Sequence, residues 1–123
     1  MEGLVIEGIV APGRKIGRQI GFPTANIALD EGLQVEGGVY RSEVEIEGVE
    51  GRFRAMSNVG SNPSVGGGER RLESHLIGFC GELYGRRIRV RLVEKLREEV
   101  RFGSLEELKA QLEKDKQEIL QKE

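Results

Sequence analysis

In two segments of the sequence, charged residues alternate with apolar or small residues with a period of two. This pattern constrains the fold more strongly than any other feature of the sequence. The first runs from Val39 to Glu47. The second runs from Arg87 to Leu92, where three arginines alternate with three aliphatic residues. A period of two places successive side chains on opposite faces of an extended chain. Both segments are therefore predicted to be half-buried antiparallel strands.

Shorter runs predict further strands around these two. Leu4–Ala11 is β-branched and interrupted by glycine, and strands are also predicted from about Arg52 to Val59 and from about Arg71 to Phe79. Glycine-rich turns separate these runs, in keeping with 18 glycines in 123 residues. The stretch from Pro12 to Leu29 has no periodicity and is predicted to be a long loop, which in a small domain is usually functional or disordered.

Only the end of the sequence has a strong helical pattern. Ser104 and Glu107 form a capping box, and an apolar stripe follows at Leu105, Leu108, Leu112 and Ile119. The sequence thus predicts five or six short strands and one amphipathic helix, and the helix must cover an apolar opening. A sheet this small avoids exposed edges by closing into a barrel. We predict a mainly β single domain over residues 1–123, a small Greek-key barrel followed by a C-terminal α-helix.

The net charge argues against a protein that mainly binds the nucleic-acid backbone. The chain has 19 Lys and Arg against 21 Asp and Glu, whereas such binding needs an excess of basic residues. We interpret the arginines of the second alternating segment as partners of a stripe of glutamates on a neighbouring strand. The two stripes are Arg87, Arg89, Arg91 and Glu43, Glu45, Glu47. We expect a small-molecule partner and no nucleic acid.

A single Cys and a single His exclude several kinds of site. Cys80 alone cannot form an internal disulfide or a cysteine-rich zinc site, and nothing near it indicates a reactive thiolate. His75 alone cannot build a two-histidine metal site. The longest early apolar run, Leu4–Ile6, is too short for a signal peptide or a membrane span. We therefore expect a cytoplasmic protein with no membrane partner.

The glycine-rich loop that begins at Gly13 carries the strongest sign of function. Its glycines, which include Gly17, let backbone N–H groups approach a ligand, and its three cations, among them Arg18, favour an anion. Thr24 and Asn26 offer two neutral oxygens on one side of an extended chain. This combination fits a phosphate with Mg²⁺. The alternative is a flexible basic loop with an Asx-type turn at Asn26.

Glu73 is the second candidate. The predicted strand places it on one face with His75, Ile77 and Phe79. A carboxylate on such a face either lies at the rim of the barrel or has a function, because an unpaired buried carboxylate is costly. At the rim it could accept a proton from a substrate hydroxyl. The alternative is a solvated glutamate at a strand end, with His75 as a packed residue. Asp115, on the apolar side of the helix, is expected to bond to a loop.

Six motifs follow one another along nearly the whole chain. They are Gly13-x-x-x-Gly17-Arg18-x-x-Gly21-Phe22-Pro23-Thr24-Ala25-Asn26, Gly38-Val39-Tyr40, Asn58-Val59-Gly60-x-Asn62-Pro63, Leu72-Glu73-x-His75-Leu76, Leu83-Tyr84-Gly85 and Leu96-Arg97-x-Glu99-x-x-Phe102-x-Ser104. Together they resemble the riboflavin kinase (flavokinase) family of the ATP-dependent bacterial and eukaryotic type. The Pro-Thr-Ala-Asn core is highly specific, and the segment Ser64–Gly68 departs from the family's pattern.

The resemblance implies a six-stranded Greek-key barrel that transfers the γ-phosphate of Mg-ATP to the 5′-hydroxyl of riboflavin, giving FMN and ADP. It implies a monomer, unless the domain is part of a larger bifunctional chain that also makes FAD; by itself the domain should stop at FMN. By the same resemblance Glu73 is the catalytic carboxylate. The other implied site residues are Gly13, Gly17, Arg18, Thr24 and Asn26 for ATP, Thr24 and Asn26 for Mg²⁺, and Arg97 and Phe102 for the flavin.

Two alternatives to a kinase remain at this point. One is a non-catalytic flavin-binding or regulatory module on the same barrel, which the loose Gly66–Gly68 loop would permit. The other is a nucleic-acid binder that uses the arginine stripe. The negative net charge and the small number of aromatic side chains, four Phe and two Tyr, disfavour it.

Overall fold

A computed structural model describes residues 3–11, 21–30, 32–60 and 70–122 of the chain. These residues form six strands and one helix, and five of the strands and the helix follow one another as the sequence predicts. The elements are β1 (Leu4–Ile9), β2 (Ala25–Ala28), β3 (Gly38–Ile46), β4 (Phe53–Val59), β5 (Arg71–Leu76), β6 (Arg87–Arg97) and α1 (Leu105–Gln121).

The strands form one antiparallel sheet with the order β1-β6-β3-β4-β5-β2. Strands β3, β4 and β5 are consecutive neighbours, and β6 returns to lie beside β3, which is the strand order of a Greek key. The two ends of the sheet approach each other where Ala11, just after β1, forms a bridge with Asn26 of β2. The prediction of a mainly β, nearly closed barrel with a C-terminal helix is confirmed.

The interior of the barrel contains the side chains that the period of two predicts. Val44 and Ile46 of β3 are buried together with Ile88 and Val90 of β6. Three serine hydroxyls, which the sequence analysis did not consider, also lie inside. Ser57 shares hydrogen bonds of 2.7 Å with Ser42 and Ser74. Because a hydroxyl both donates and accepts, this row satisfies its own polar groups.

Some element boundaries differ from the prediction. Strand β2 lies inside the stretch predicted as a loop, because four residues paired with β5 are too short to show a periodicity. Strand β5 ends at Leu76 and does not reach Phe79, since the chain turns at Gly78, where φ is +85°. A left-handed φ of this kind favours glycine.

Helix α1 begins as the capping box predicts, with the Ser104 hydroxyl accepting a hydrogen bond from the Glu107 N–H at 3.1 Å. It lies against the outer face of β4, where Ile119 joins Val39 and Met56 in a second apolar cluster. The helix thus covers the outer wall of the barrel, and not an opening as predicted. Leu105, predicted to belong to the apolar stripe, is 48% exposed because the buried residues of α1 lie in its C-terminal half.

Two arginines of β6 form ion pairs with glutamates on the outer surface of the barrel. Arg89 lies 2.9 Å from Glu7 and 3.8 Å from Glu45, and Arg87 lies 3.9 Å from Glu7. The predicted pairing with the glutamate stripe of β3 is confirmed for Arg89 with Glu45, whereas Arg87 pairs with Glu7 of β1. Exposed pairs of this kind contribute little to stability. In the part of the chain that the structure describes, α1 is too short and too polar to cross a membrane.

Candidate active site

One row of paired residues crosses five strands of the sheet. Asn26 of β2 lies opposite Glu73 of β5, and Glu73 lies opposite Asn58 of β4. Asn58 lies opposite Val39 of β3, which is paired with Arg97 of β6. Residues directly opposite each other in antiparallel strands place their side chains on the same face. We call this set the cross-strand row.

The cross-strand row lies on the outer face of the barrel, near one end. Its neighbours along the strands, such as Ser57 and Ser74, belong to the buried interior, so the row itself faces outward. Arg97 is the last residue of β6, and Asn58 is the last but one of β4. Glu73 is half-buried there, in agreement with the expectation of a rim position.

A cavity of about 340 Å³ lies between this face and helix α1. Its floor includes Glu73 and Asn58 from the cross-strand row, and Thr24 lies beside them. Its opposite wall comes from the segment 98–103, between β6 and α1, and from the helix itself. The residues of that wall are Glu99, Val100, Phe102, Leu108 and Leu112. On the strand side the polar groups of Thr24, Asn58 and Glu73 alternate with apolar side chains such as Val39 and Met56, and the opposite wall is largely apolar. Such a mixed lining suits a small ligand with both polar and apolar parts.

Arg97 forms one end of the cavity and is held by a buried carboxylate. Its Nε and Nη2 donate hydrogen bonds to Asp115 of α1, with distances of 3.1 and 2.7 Å to the nearest oxygens. The guanidinium carbon lies 6.0 Å from the centre of the Phe102 ring. Asp115 is 2% exposed. The expectation that Asp115 bonds to a loop is wrong, because the helix places it against the end of β6.

Thr24 and Asn26 lie together at the other end of the row. The Asn26 Nδ2 atom is 3.5 Å from both the Thr24 carbonyl oxygen and the Thr24 Oγ1. Because Asn26 belongs to β2, the alternative of an Asx-type turn at this residue is wrong. The Asn26 Oδ1 is buried and has no hydrogen-bond partner among the described residues. A buried acceptor of this kind is costly unless a donor or a cation satisfies it.

These two side chains fit a magnesium site. Mg²⁺ prefers oxygen ligands, keeps several waters and is commonly bound through few protein groups together with substrate phosphates. Thr24 and Asn26 supply neutral oxygens, one of which lacks a partner. Within residues 3–11, 21–30, 32–60 and 70–122, no group of three or more His, Cys, Asp or Glu side chains is arranged to hold a metal.

His75 anchors the chain next to Thr24. Its Nδ1 lies 2.8 Å from the Pro23 carbonyl oxygen, and its ring packs on Phe22 with a centroid distance of 5.0 Å. Burial lowers the pKa of His75, and the hydrogen bond to Pro23 opposes this only in part. The neutral ring therefore donates from Nδ1 to Pro23. The interpretation of His75 as a packed residue is confirmed.

We expect this histidine to make the unfolding free energy decrease as the pH falls. Because its pKa is lower in the folded chain than in the unfolded one, the unfolded chain binds more protons as the pH falls below about 6.5. The test is urea unfolding at about pH 7.5 and about pH 5.5, with His75→Asn as the comparison. The parent should lose more stability between the two pH values than the variant does. Equal losses would mean that His75 does not contribute.

The structure brings most of the predicted site residues together and adds one. Thr24, Glu73, Arg97 and Phe102 line the cavity, and Asn26 is paired beside Glu73. The predicted residues Gly13, Gly17 and Arg18 lie outside the described residues, as does the segment Ser64–Gly68. The addition is Asn58, whose buried Oδ1 also has no hydrogen-bond partner in the described part of the chain. Its motif was visible in the sequence, but only the strand register shows that it lies beside Glu73.

Comparisons with known proteins agree with this arrangement. The family model for riboflavin kinase, named Flavokinase, matches residues 2–122. The bifunctional riboflavin kinase/FMN adenylyltransferase of Escherichia coli (strain K12) is 46% identical over 110 residues, which cover 89% of this chain and 35% of that protein. The protein of the same name from Bacillus subtilis (strain 168) is 38% identical over 94% of this chain and 37% of its own length. The chain thus spans little more than a third of these curated relatives.

Two solved structures have a similar fold. A riboflavin kinase from Trypanosoma brucei matches 98% of this chain and 80% of its own, with a TM-score of 0.66 and 21% identity. A structure titled as a macrolide-efflux protein from Streptococcus pneumoniae matches 94% of this chain and 38% of its own, with a TM-score of 0.83 and 35% identity. That title describes that protein only. Since the family model matches residues 2–122, which is nearly the whole chain, the chain belongs to the riboflavin kinase family.

Proposed function

We propose that this domain is an ATP-dependent riboflavin kinase, which transfers the γ-phosphate of ATP to the 5′-hydroxyl of the ribityl chain of riboflavin and yields FMN and ADP. The observation that carries the proposal is the cross-strand row. It aligns a candidate phosphate and metal end at Asn26, a carboxylate at Glu73 and a cationic and aromatic end at Arg97 on one face. Family membership supports the same reaction.

The length of the row agrees with the shape of riboflavin. Three steps from strand to strand separate Glu73 from Arg97, or about 14 Å along the sheet. Riboflavin has a flexible hydroxylated chain at one end and a flat, largely apolar ring at the other. With the 5′-hydroxyl at Glu73, the ring extends past Asn58 and Val39 toward Arg97 and Phe102. Thr24, Asn58 and Glu73 supply polar groups for the hydroxylated chain, and the apolar side chains Val100, Phe102, Leu108 and Leu112 suit the ring.

In this proposal Glu73 is the general base. As the hydroxyl oxygen forms its bond to the γ-phosphorus, the bond from that phosphorus to the bridging oxygen of ADP breaks, and the hydroxyl proton passes to the Glu73 carboxylate. Phosphoryl transfer depends mainly on positioning and on neutralising charge, so one base near the acceptor is sufficient. The half-buried position of Glu73 between two amide side chains supports this role.

The nucleotide end of the site is proposed to comprise Gly13, Gly17, Arg18, Thr24 and Asn26. The loop residues would cover the phosphates, while the oxygens of Thr24 and Asn26 would hold Mg²⁺. When bound, Mg²⁺ supplies positive charge that stabilises the phosphate oxygens during transfer. The unpartnered Oδ1 of Asn26 supports this part of the proposal. At the opposite end, Arg97 and Phe102 would contact the flavin.

The setting of the reaction is also part of the proposal. We expect residues 1–123 to act as one domain, as a monomer and in the cytoplasm, without nucleic acid. The ion pairs of Arg87 and Arg89 with glutamates support the expectation of no nucleic-acid partner, since they compensate positive charge on the surface of β6. The longer relatives are also named as FMN adenylyltransferases, and we do not propose that activity for this chain.

The choice of the acceptor hydroxyl can be tested with a matched pair of flavins. Riboflavin should support riboflavin-dependent release of ADP with one FMN formed per ADP. A riboflavin analogue without the 5′-hydroxyl should bind, as measured by quenching of flavin fluorescence, but should release no ADP above the background. Release of ADP with the analogue at the rate seen with riboflavin would contradict the proposed acceptor.

A further inference from the structure

Asp115 is a buried carboxylate that the proposed reaction does not use. It is 2% exposed, in a helix whose other buried residue is Ile119. It accepts hydrogen bonds from Arg97 and, at 3.0 Å, from the Nε2 atom of Gln111. Ile119 and Leu112 already provide apolar contacts between the helix and the barrel. An ion pair in such a position is weak evidence for a purely stabilising role, because burying two charges costs much of what their attraction returns.

The contacts fix both the position and the orientation of the guanidinium. Asp115 accepts from Nε and Nη2, and the Glu98 carbonyl oxygen accepts from Nη1 at 3.1 Å. The plane of Arg97 is therefore set from two sides, and its carbon lies 6.0 Å from the Phe102 ring. The carboxylate also balances the positive charge of Arg97. This end of the cavity therefore presents the planar guanidinium of Arg97, which is held in place and whose positive charge Asp115 compensates.

We propose that Asp115 is a positioning residue for the flavin: it holds Arg97 in the orientation that receives the ring and compensates its charge, so that this end of the cavity favours an uncharged planar ligand. This inference rests on the proposed function, because it takes the ring to lie at Arg97. Asp115 itself touches neither substrate. Its effect on binding is therefore transmitted entirely through Arg97.

A double-mutant cycle tests this dependence. The variants are Asp115→Asn, Arg97→Met and the two combined, and Glu118→Gln in the same helix is the control for loss of a carboxylate. We expect Asp115→Asn to raise the riboflavin KM and the flavin dissociation constant about tenfold, while the KM for ATP changes by less than about twofold. In the combined variant the dissociation constant should equal that of Arg97→Met alone.

Several results would overturn the proposal. One is a combined variant whose loss of flavin affinity is the product of the two single losses, because Asp115 would then act independently of Arg97. Another is an equal rise in the KM values for riboflavin and ATP, which indicates general damage to the structure. If Asp115→Asn does not fold, as judged by thermal unfolding, Gln111→Ala perturbs the same carboxylate more mildly. It should still weaken flavin binding by about twofold or more without changing the KM for ATP, and unchanged flavin binding would contradict the proposal.

The same experiment separates this inference from the proposed function. Flavin affinity is measured by fluorescence quenching and does not require turnover. A parent chain that binds riboflavin but makes no FMN would contradict the kinase proposal, while the cycle would still decide the role of Asp115. A parent chain that neither binds nor phosphorylates riboflavin would overturn both.

Discussion

Replacing Glu73 with glutamine is expected to lower turnover by about 10²–10⁴-fold, the usual range for the loss of a general base. Glutamine keeps the size and the hydrogen-bonding shape of the side chain but cannot take up the hydroxyl proton. The dissociation constants for riboflavin and ATP should change little, since the carboxylate acts mainly in the transition state. The measurement is steady-state formation of FMN by the parent and by Glu73→Gln, with thermal unfolding of both.

The matched control for this variant is Glu99→Gln. Glu99 also lines the cavity, but it lies on the segment between β6 and α1 and not on the cross-strand row. Its loss should leave the chemical step within about tenfold of the parent. If Glu73→Gln retains turnover within about threefold of the parent, Glu73 is not the base. A larger loss for Glu99→Gln than for Glu73→Gln would contradict the account, because the base would then lie on the opposite wall of the cavity.

Removing either neutral oxygen at the nucleotide end is expected to lower kcat/KM for Mg-ATP by about 10–100-fold, a common range for perturbed metal sites. The two variants are Thr24→Val, which keeps the shape of the side chain, and Asn26→Ala. Both should require a higher concentration of Mg²⁺ for half-maximal rate.

Thr24→Ser is the matched control, because it keeps the hydroxyl and removes only a methyl group. Its dependence on Mg²⁺ should be close to that of the parent. The riboflavin KM of all three variants should also stay near the parent value, as these side chains lie at the end of the row away from Arg97. Curves of rate against Mg²⁺ concentration that coincide for parent, Thr24→Val and Asn26→Ala would contradict the proposed metal site.

Local pattern in the sequence was sufficient to predict most of the fold. The period of two over β3 and β6 and the capping box at Ser104 each depend on neighbouring residues only, and the structure confirms all three. Strand β2 was not predicted, because its four residues are specified by pairing with β5 and not by a pattern of their own. The boundaries of β5 likewise depend on one turn at Gly78.

The arrangement of the site depends on strand register, which the sequence does not display. The sequence pattern around Glu73 fits a catalytic carboxylate and a solvated strand end equally well, and only the register shows that Glu73 lies between Asn26 and Asn58. The contact of Asp115 with Arg97 joins residues 18 positions apart through the packing of a helix on a barrel. Family resemblance proposed roles for single residues, whereas the structure relates them to one another in space.

The most direct test of the account is to incubate the purified chain with riboflavin, ATP and Mg²⁺ and to separate the flavins by chromatography with fluorescence detection. The account predicts that FMN accumulates with time in proportion to the enzyme, and that omission of ATP or Mg²⁺ abolishes it. If the folded chain quenches riboflavin fluorescence but forms no FMN, the kinase assignment is contradicted and the domain is a flavin-binding module.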